Sequence, residues 1–106
     1  PFTIKAWLDS DARLKDVSFP VLSDSSDEIG ETYGVMNTGG SNHLRATFII
    51  DPEGVVQYAD VYNEQVGRSV SELIRTLQAL QTGGFCPVEW QAGEPTLEVP
   101  VGVPYR

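Results

Sequence analysis

The clearest candidate for chemistry in this sequence is a single thiol, that of Cys86. It is the only cysteine among 106 residues, and Pro87 follows it directly. A chain with one cysteine cannot form an internal disulfide or a cysteine-rich zinc site, so this thiol could form a disulfide only with another chain. A lone cysteine near a carboxyl terminus is nevertheless more often an inert side chain than a reactive one. The residue types alone leave both alternatives open.

Three further residues could contribute charge or metal ligands, but each has a plainer interpretation. Arg45 stands at the entrance of a predicted strand and Arg68 just before a predicted helix cap, and arginines at such places are usually solvated. His43 lies in a polar loop, and with one cysteine and no second histidine it cannot complete a zinc site. We expect His43 to be solvated, and the sequence predicts no metal site.

Composition narrows the possible function classes. The 7 basic residues are outnumbered by 15 acidic ones, the net charge is -8, and the basic residues are scattered, which argues against nucleic acid as the main partner. The acidic segment 24–28 lacks the ligand order of an EF-hand calcium loop. No apolar stretch is long enough for a membrane span, and residues 1–5 do not resemble a signal peptide. The sequence therefore predicts a cytoplasmic protein.

Local patterns predict short strands, a hairpin and amphipathic helices. In chain order they are a short helix at 4–8, a strand at 19–22, a helix with a Ser25/Glu28 capping box that ends at Gly34, a loop at 36–43, strands at 45–51 and 55–61 joined by a turn at 51–54, and a helix that begins with a Ser69/Glu72 capping box and ends at Gly83. The prolines at 87, 95, 100 and 104 predict an extended tail after residue 85.

The predicted core is too small for the strand at its centre. Trp7, Tyr33 and the apolar stripe of the last helix have the spacing of core residues, and the run 45–51 is apolar on both faces. The chain supplies only one or two other strands and three helices to cover that run. In addition the only methionine is Met36, so the chain as written does not begin at an initiator. We expect that part of the domain precedes this sequence.

Five ordered motifs carry a family resemblance over nearly the whole chain. They are Phe-Pro-Val-Leu-Ser-Asp at 19–24, Tyr-Gly-Val at 33–35, Arg-Ala-Thr-Phe-Ile-Ile-Asp-Pro-Glu-Gly at 45–54, Val-Gly-Arg-Ser at 66–69 and Cys-Pro-Val-Glu-Trp at 86–90. Together they resemble typical two-cysteine peroxiredoxins of the alkyl hydroperoxide reductase C type, the thiol-specific antioxidant family. The resemblance implies an α/β, thioredoxin-like fold. Its carboxyl-terminal part, with the order strand, helix, antiparallel hairpin and helix, would occupy residues 1–85, followed by a tail at 86–106.

The resemblance also implies a division of catalytic roles. The family's peroxidatic motif, Pro-x-x-x-Thr-x-x-Cys, is not found in these residues. Cys86 matches the resolving cysteine, which condenses with the oxidised peroxidatic cysteine of an adjacent subunit. Arg45 matches the arginine that stabilises the thiolate and the peroxide, and Arg68 matches a supporting arginine. Both redox centres are sulfur, so no cofactor is implied, and this chain alone should be inactive.

Partners follow from the same resemblance. It implies a homodimer through the strand at 55–62, possibly closed into a decameric ring, with thioredoxin or a flavin-dependent disulfide reductase as reductant and with neither nucleic acid nor membrane as partner. The Gly-Gly-Leu-Gly insertion and the terminal Tyr-Phe helix of overoxidation-sensitive members are missing, which predicts a robust peroxidase. The alternatives are a non-catalytic thioredoxin-like interaction module, a proteolytic remnant, or a redox-inert binding domain.

Overall fold

The computed structural model describes residues 2–40 and 42–98. The chain forms two compact units, of which the first ends at His43 and the second begins at Leu44. The elements in chain order are helix α1 (Phe2–Ser10), a 3₁₀ turn (Ala12–Leu14), helix α2 (Glu28–Tyr33), strands β1 (Arg45–Ile50) and β2 (Val56–Tyr62), and helix α3 (Val70–Thr82). Within the described ranges, no helix combines the length and the apolar character that crossing a membrane requires.

The strand predicted at 19–22 is not formed, and this prediction is wrong. The segment is irregular, and Phe19 and Leu22 are 68% and 79% exposed. A strand needs a neighbour that pairs with its backbone N–H and C=O groups. The two-stranded sheet of the described residues lies in the second unit, and Pro20 has no N–H to contribute. The composition of 19–22 favours a strand, but residues 2–40 and 42–98 supply no strand that pairs with it.

Helix α2 ends as predicted but begins differently. Gly34 closes it with a left-handed φ of 70°, a conformation that costs glycine little. The proposed Ser25/Glu28 capping box is wrong, because the helix begins only at Glu28. The carboxylate of Asp24 instead accepts hydrogen bonds from the amide of Gly30 at 2.8 Å and from the preceding amide at 3.1 Å. An acidic side chain at this position is favoured by the positive end of the helix dipole.

The hairpin of β1 and β2 forms as the sequence predicts. The strands pair antiparallel, with one register shift between Ile49 and Ile50. The turn between them is closed by a hydrogen bond from the amide of Gly54 to the carbonyl of Asp51 at 2.9 Å, and Gly54 has a φ of 84°. Proline in the second turn position and glycine in the fourth are typical of such turns. The hairpin thus follows from local turn chemistry.

Two side chains on β2 form a strong hydrogen bond. Tyr58 donates its hydroxyl proton to Asp60 at 2.5 Å, and the other carboxylate oxygen of Asp60 is buried without a hydrogen-bond partner. This hydrogen bond, together with burial and the negative charge of Asp60, raises the pKa of Tyr58 to about 12. The folded state therefore retains the phenolic proton more tightly than the unfolded chain does.

The Tyr58 hydrogen bond predicts a loss of stability in alkali. Because the folded-state pKa is raised, its contribution is fully present below pH ~10, the value for an unfolded tyrosine, and is lost as the pH rises towards about 12. Urea unfolding of the native chain and of Tyr58→Phe, compared between pH about 9 and about 11.5, should show a steeper fall for the native chain. Equal slopes for the two proteins would contradict this assignment.

Helix α3 has the predicted caps at both ends. The Oγ of Ser69 accepts a hydrogen bond from the amide of Glu72 at 3.3 Å, and Gly83 ends the helix with a φ of 69° and an N–H that donates to the carbonyl of Leu80. Its thirteen residues correspond to a length of about 20 Å at 1.5 Å per residue. The caps at Ser69 and Gly83 therefore fix where α3 begins and ends, and with that the positions of the residues that flank it.

Residues 83–98, the described part of the segment after α3, contain no helix or strand, but they are not extended as predicted. The amide of Leu97 donates to the carbonyl of Phe85 at 2.6 Å, and the amide of Trp90 donates to the carbonyl of Pro87 at 3.1 Å. Glu89 takes a left-handed φ of 63° between them. Proline excludes a helix but is compatible with turns, which explains the difference. The later prolines and the predicted chain end at 103–106 lie outside the described residues.

Most residues predicted for the core are exposed instead. Trp7 is 54% exposed, Tyr33 48% and Ile74 51%, and β1 is only partly covered on both faces. In the described part of the chain, Val35 and Trp90 are the buried apolar side chains, at 7% and 3% exposure. An amphipathic helix or sheet face is buried only when a second layer packs against it. The apolar patterns of the sequence show which faces could be buried, but residues 2–40 and 42–98 do not supply a layer that covers those faces.

Candidate functional site

Cys86 lies four residues after Thr82, the last residue of α3. Its Sγ is 3.8 Å from the carbonyl oxygen of Ala79 and 3.7 Å from Oγ1 of Thr82, and the thiol is partly buried. It lines an open groove of about 700 Å³ together with Arg75 and Pro87. A thiol is a weak hydrogen-bond donor, so these contacts hold it only lightly. The position of Cys86 therefore depends mainly on the loop that carries it.

Arg75 is a residue of this groove that sequence reasoning missed. Its guanidinium pairs with Glu72 on the preceding turn of α3 and also donates to the carbonyl of Trp90. The hydrogen bonds from Arg75 lower the pKa of Glu72, against the opposing effect of burial. The spacing of three residues between Glu72 and Arg75 was a detectable helix signal. The contact between Arg75 and Trp90 joins residues that are fifteen positions apart, so no local sequence pattern could predict it.

Arg45 is the first residue of β1, as predicted. Its Nε donates to the carbonyl of Glu64 at 2.7 Å, in the loop that follows β2. This bond uses Nε and not the two terminal nitrogens of the guanidinium. An arginine anchored through Nε keeps its charge at the entrance of the hairpin in a fixed direction, which is the arrangement required to bind an anion or a polarised oxygen.

Arg68 lies in the same region and is held by β1. Its Nε donates to Oγ1 of Thr47 at 3.0 Å and its Nη2 to the carbonyl of Ala46 at 2.9 Å, so it is fixed to the two residues that follow Arg45 in the strand. The structure thus places both predicted arginines at one end of the hairpin. Arginines in this region can bind an anion, because their N–H donors and permanent charge complement a negatively charged oxygen or sulfur.

Cys86, the third predicted site residue, does not lie at the same end of α3 as Arg68. Arg68 precedes the amino end of α3 and Cys86 follows its carboxyl end, so the two residues lie at opposite ends of a helix about 20 Å long. A sulfur that reacts with a disulfide or sulfenic acid must reach bonding distance. Within one chain, Cys86 and the arginine pair are therefore two separate sites.

A possible metal-ligand cluster occurs in the first unit. Oxygen or nitrogen atoms of Asp24, Asp27 and His43 lie within 4.8 Å of one another. Nε2 of His43, which is 45% exposed, makes a hydrogen bond of 2.8 Å to Asp24, so His43 is partly solvated but also paired. Burial opposes ionisation of Asp24, yet the hydrogen bonds from Gly30, Ile29 and His43 outweigh it and lower its pKa. The Asp24 oxygens thus serve as acceptors within the fold.

Gly30 allows the His43 contact. A Cβ atom at this position would lie 2.6 Å from Nε2 of His43 and 2.5 Å from Sδ of Met36, both too close for a side chain. The loop that carries His43 can therefore approach α2 only because this residue is glycine. Met36 and His43 also pair through a β-bridge, which fixes the loop between them.

Comparison with known families identifies the fold around these residues. A profile of the AhpC/TSA family matches residues 1–59, which is more than half of the chain. The chain belongs to the AhpC/TSA family. The alkyl hydroperoxide reductase C resemblance inferred from the five motifs is thereby confirmed. The match covers β1 with Arg45 and most of β2, whereas α3 and Cys86 lie beyond it.

Several proteins resemble this AhpC/TSA chain over most of its length. It is 36% identical over 102 residues to the alkyl hydroperoxide reductase C of Ferdinandcohnia aciditolerans, with 92% of the chain and 61% of that protein covered. Solved structures of Plasmodium vivax 2-Cys peroxiredoxin in its reduced form (TM-score 0.80, 34% identity, 89% and 52% covered) and of Mycobacterium bovis AhpC (TM-score 0.75, 37% identity, 85% and 50% covered) match its fold. The α/β, thioredoxin-like fold class is therefore confirmed.

The AhpC/TSA chain spans about half the length of the curated relatives it matches. This fraction agrees with the exposed faces of α3 and β1, which in a longer chain would have further elements to pack against. Cys86 and Arg68 lie at opposite ends of α3. The family is established, and the roles of Cys86, Arg45 and Arg68 remain predictions.

Proposed function

We propose that this chain is the carboxyl-terminal portion of a two-cysteine peroxiredoxin that reduces hydrogen peroxide and alkyl hydroperoxides. The observation that carries the proposal is the position of Cys86, the one thiol of an AhpC/TSA chain. It lies on the loop after the carboxyl end of α3, whereas Arg68 precedes the amino end of that helix. A thiol so placed is suited to react with a sulfur of another chain.

The proposed reaction has two steps. A peroxidatic thiolate, supplied by the part of the protein that precedes this chain, attacks the terminal oxygen of the peroxide. The O–O bond breaks, the sulfur becomes a sulfenic acid, and the alkoxide or hydroxide that leaves takes up a proton. The Cys86 thiolate of the neighbouring subunit then attacks the sulfenic sulfur, an S–S bond forms, and the hydroxide that leaves is protonated to water.

The arginine pair would act in the first of these steps. Arg45 presents a permanent positive charge with several N–H donors at the start of β1, where it favours the thiolate over the thiol and stabilises the charge that develops on the leaving oxygen. Arg68 would act as a positioning residue, because it fixes the two β1 residues that follow Arg45. Neither arginine is a nucleophile, so both depend on the peroxidatic cysteine.

The partners follow from the sheet and from the chemistry. β2 pairs with β1 on one side only within the described sheet, so its other edge carries backbone groups that a second copy of β2 could pair with. A homodimer through 55–62, closed further into a decameric ring, would satisfy them. Thioredoxin or a flavin-dependent disulfide reductase would return the disulfide to two thiols and be oxidised in turn. We place the protein in the cytoplasm.

The alternative is a non-catalytic interaction module or a proteolytic remnant. The observation that favours it is that the described residues hold the arginine pair without a nearby thiol. In that case the chain would contribute Cys86 and a sheet edge to another polypeptide and would never be part of a peroxidase by itself.

Intact mass and peroxide consumption test the proposal. Alone, the 106-residue chain is expected to consume no peroxide catalytically with a dithiol reductant. The longer protein in which it occurs, called the parent protein below, is expected to do so and to yield a reducible dimer when oxidised. Catalytic turnover by the 106-residue chain would overturn the division of roles. A parent protein that neither turns over peroxide nor forms a reducible dimer would favour the interaction module.

A further inference from the structure

The side chain of Arg75 fastens the loop after α3 to the helix. Its Nε and Nη2 each donate to a carboxylate oxygen of Glu72 at 2.8 Å, and its Nη1 donates to the carbonyl of Trp90 at 2.9 Å. A planar guanidinium has enough donors to bind a carboxylate and a carbonyl at once. Glu72 therefore fixes the direction of Arg75, and Arg75 fixes the backbone of Trp90.

Trp90 and Cys86 are coupled by the tight turn between them. The amide of Trp90 donates to the carbonyl of Pro87 at 3.1 Å, and the indole Nε1 donates to the carbonyl of Glu94 at 3.0 Å. The Trp90 side chain is only 3% exposed. Pro87 is the neighbour of Cys86, so the backbone of Cys86 can move away from α3 only if the turn also moves. Holding Trp90 therefore restrains the backbone of Cys86.

We propose that Arg75 is a positioning residue that latches the loop 86–94 to α3 and limits how often Cys86 leaves the helix. The inference rests on the proposed function, in which this thiol must travel to a sulfur of another chain. The contact is charge-assisted and among the strongest that fasten the loop, whereas the sulfur contacts of Cys86 itself are long. Loss of the Arg75 contact should increase the population with a released loop.

Thiol reactivity of the 106-residue chain tests the latch directly. The probe is 4,4′-dithiodipyridine, a neutral disulfide: the Cys86 thiolate attacks one of its sulfurs, a mixed disulfide forms, and the released thiopyridone is followed by absorbance. With Arg75→Ala we expect the rate to rise on the order of tenfold, since a hydrogen bond from a charged donor is lost. Loss of a nearby positive charge disfavours a thiolate, so a rise in rate identifies release of the loop.

A second readout follows the loop itself. In a Trp7→Phe background, Trp90 is the only tryptophan, and its emission should shift to longer wavelength in Arg75→Ala as the indole becomes hydrated. Alanine favours helix, so far-ultraviolet circular dichroism should retain the signal of α3. Arg75→Lys keeps the charge but cannot bind Glu72 and Trp90 in the same way, and should also accelerate the reaction. If Arg75→Ala does not fold, the thiol rate of Arg75→Lys decides the test.

Arg13→Ala is the matched control, because Arg13 is exposed and pairs with Asp11 in the first unit. It should change neither the thiol rate nor the Trp90 emission. The proposal is overturned if both Arg75 variants react at the native rate, or if Arg13→Ala accelerates the reaction as much as they do. If the Arg75 variants of the isolated chain react faster but the parent protein with Cys86→Ser still forms a reducible dimer, the latch stands and the resolving role of Cys86 fails.

Discussion

Replacement of Cys86 by serine is expected to abolish the disulfide between subunits of the parent protein. Serine keeps the size of the side chain, but its hydroxyl cannot condense with a sulfenic acid to form an S–S bond. The sulfenic acid would persist and be oxidised further to sulfinic acid by excess peroxide. Non-reducing electrophoresis should show the loss of the dimer band, and intact mass should show added oxygen in place of the dimer.

The matched control moves the thiol to the other end of the same helix. The double variant Cys86→Ser with Ser71→Cys keeps one thiol on an exposed position of α3, but displaces it by most of the length of that helix. If position is decisive, this variant should also fail to form the dimer. A reducible dimer in Cys86→Ser alone would contradict the resolving role, and a dimer in the double variant would show that any exposed thiol suffices.

Replacement of Arg45 by alanine is expected to slow the reaction of the parent protein with peroxide by a factor of about 10² to 10³, the usual cost of removing a donor that stabilises transition-state charge. Arg45→Lys should lose less, since it keeps the charge but not the fixed fork of donors. The measurement is the second-order rate constant of peroxide consumption by stopped flow, with disulfide formation monitored separately so that only the first step is assigned to Arg45.

Arg13→Ala serves as the control for charge, because Arg13 is likewise exposed but belongs to the first unit. Its rate constant should equal that of the native protein. A loss as large as that of Arg45→Ala would show that net charge, and not the position of Arg45 on β1, governs the reaction. A native rate for Arg45→Ala would remove Arg45 from the peroxide site.

The sequence predicted the elements that depend on local chemistry. Helix α3 has both of its predicted caps, at Ser69 and Gly83, and the turn closed by Gly54 joins two strands with nearly the predicted bounds. A cap or a turn is decided by residues a few positions apart, so one sequence contains all the information. The same is true of Gly34, which ends α2.

The predictions that failed depended on distant partners. The segment at 19–22 has a strand-like composition, but composition cannot supply the neighbour that a strand must pair with. Trp7 and Ile74 have core spacing, yet both are about half exposed because the described part of the chain supplies no second layer that covers them. Burial is a property of the whole packing arrangement, and a helical pattern shows only which face is available for it.

The candidate site shows the same division. Cys86, Arg45 and Arg68 could be selected from motifs, since each lies in a short segment with a recognisable order. The contact of Arg75 with Trp90 spans fifteen positions and a change of chain direction, and no motif contains both residues. Arg68 and Cys86 lie at opposite ends of α3, an arrangement that depends on the whole folded helix and not on either motif.

The exposed apolar faces of α3 and β1 also determine how the isolated chain behaves in solution. Large uncovered apolar patches favour association between molecules, and the net charge of -8 opposes it by mutual repulsion at neutral pH. That repulsion vanishes near the isoelectric point of about 4.3. Colloidal stability of this chain is therefore maintained by its carboxylates, and mild acidification or high salt removes the barrier that keeps its uncovered faces apart.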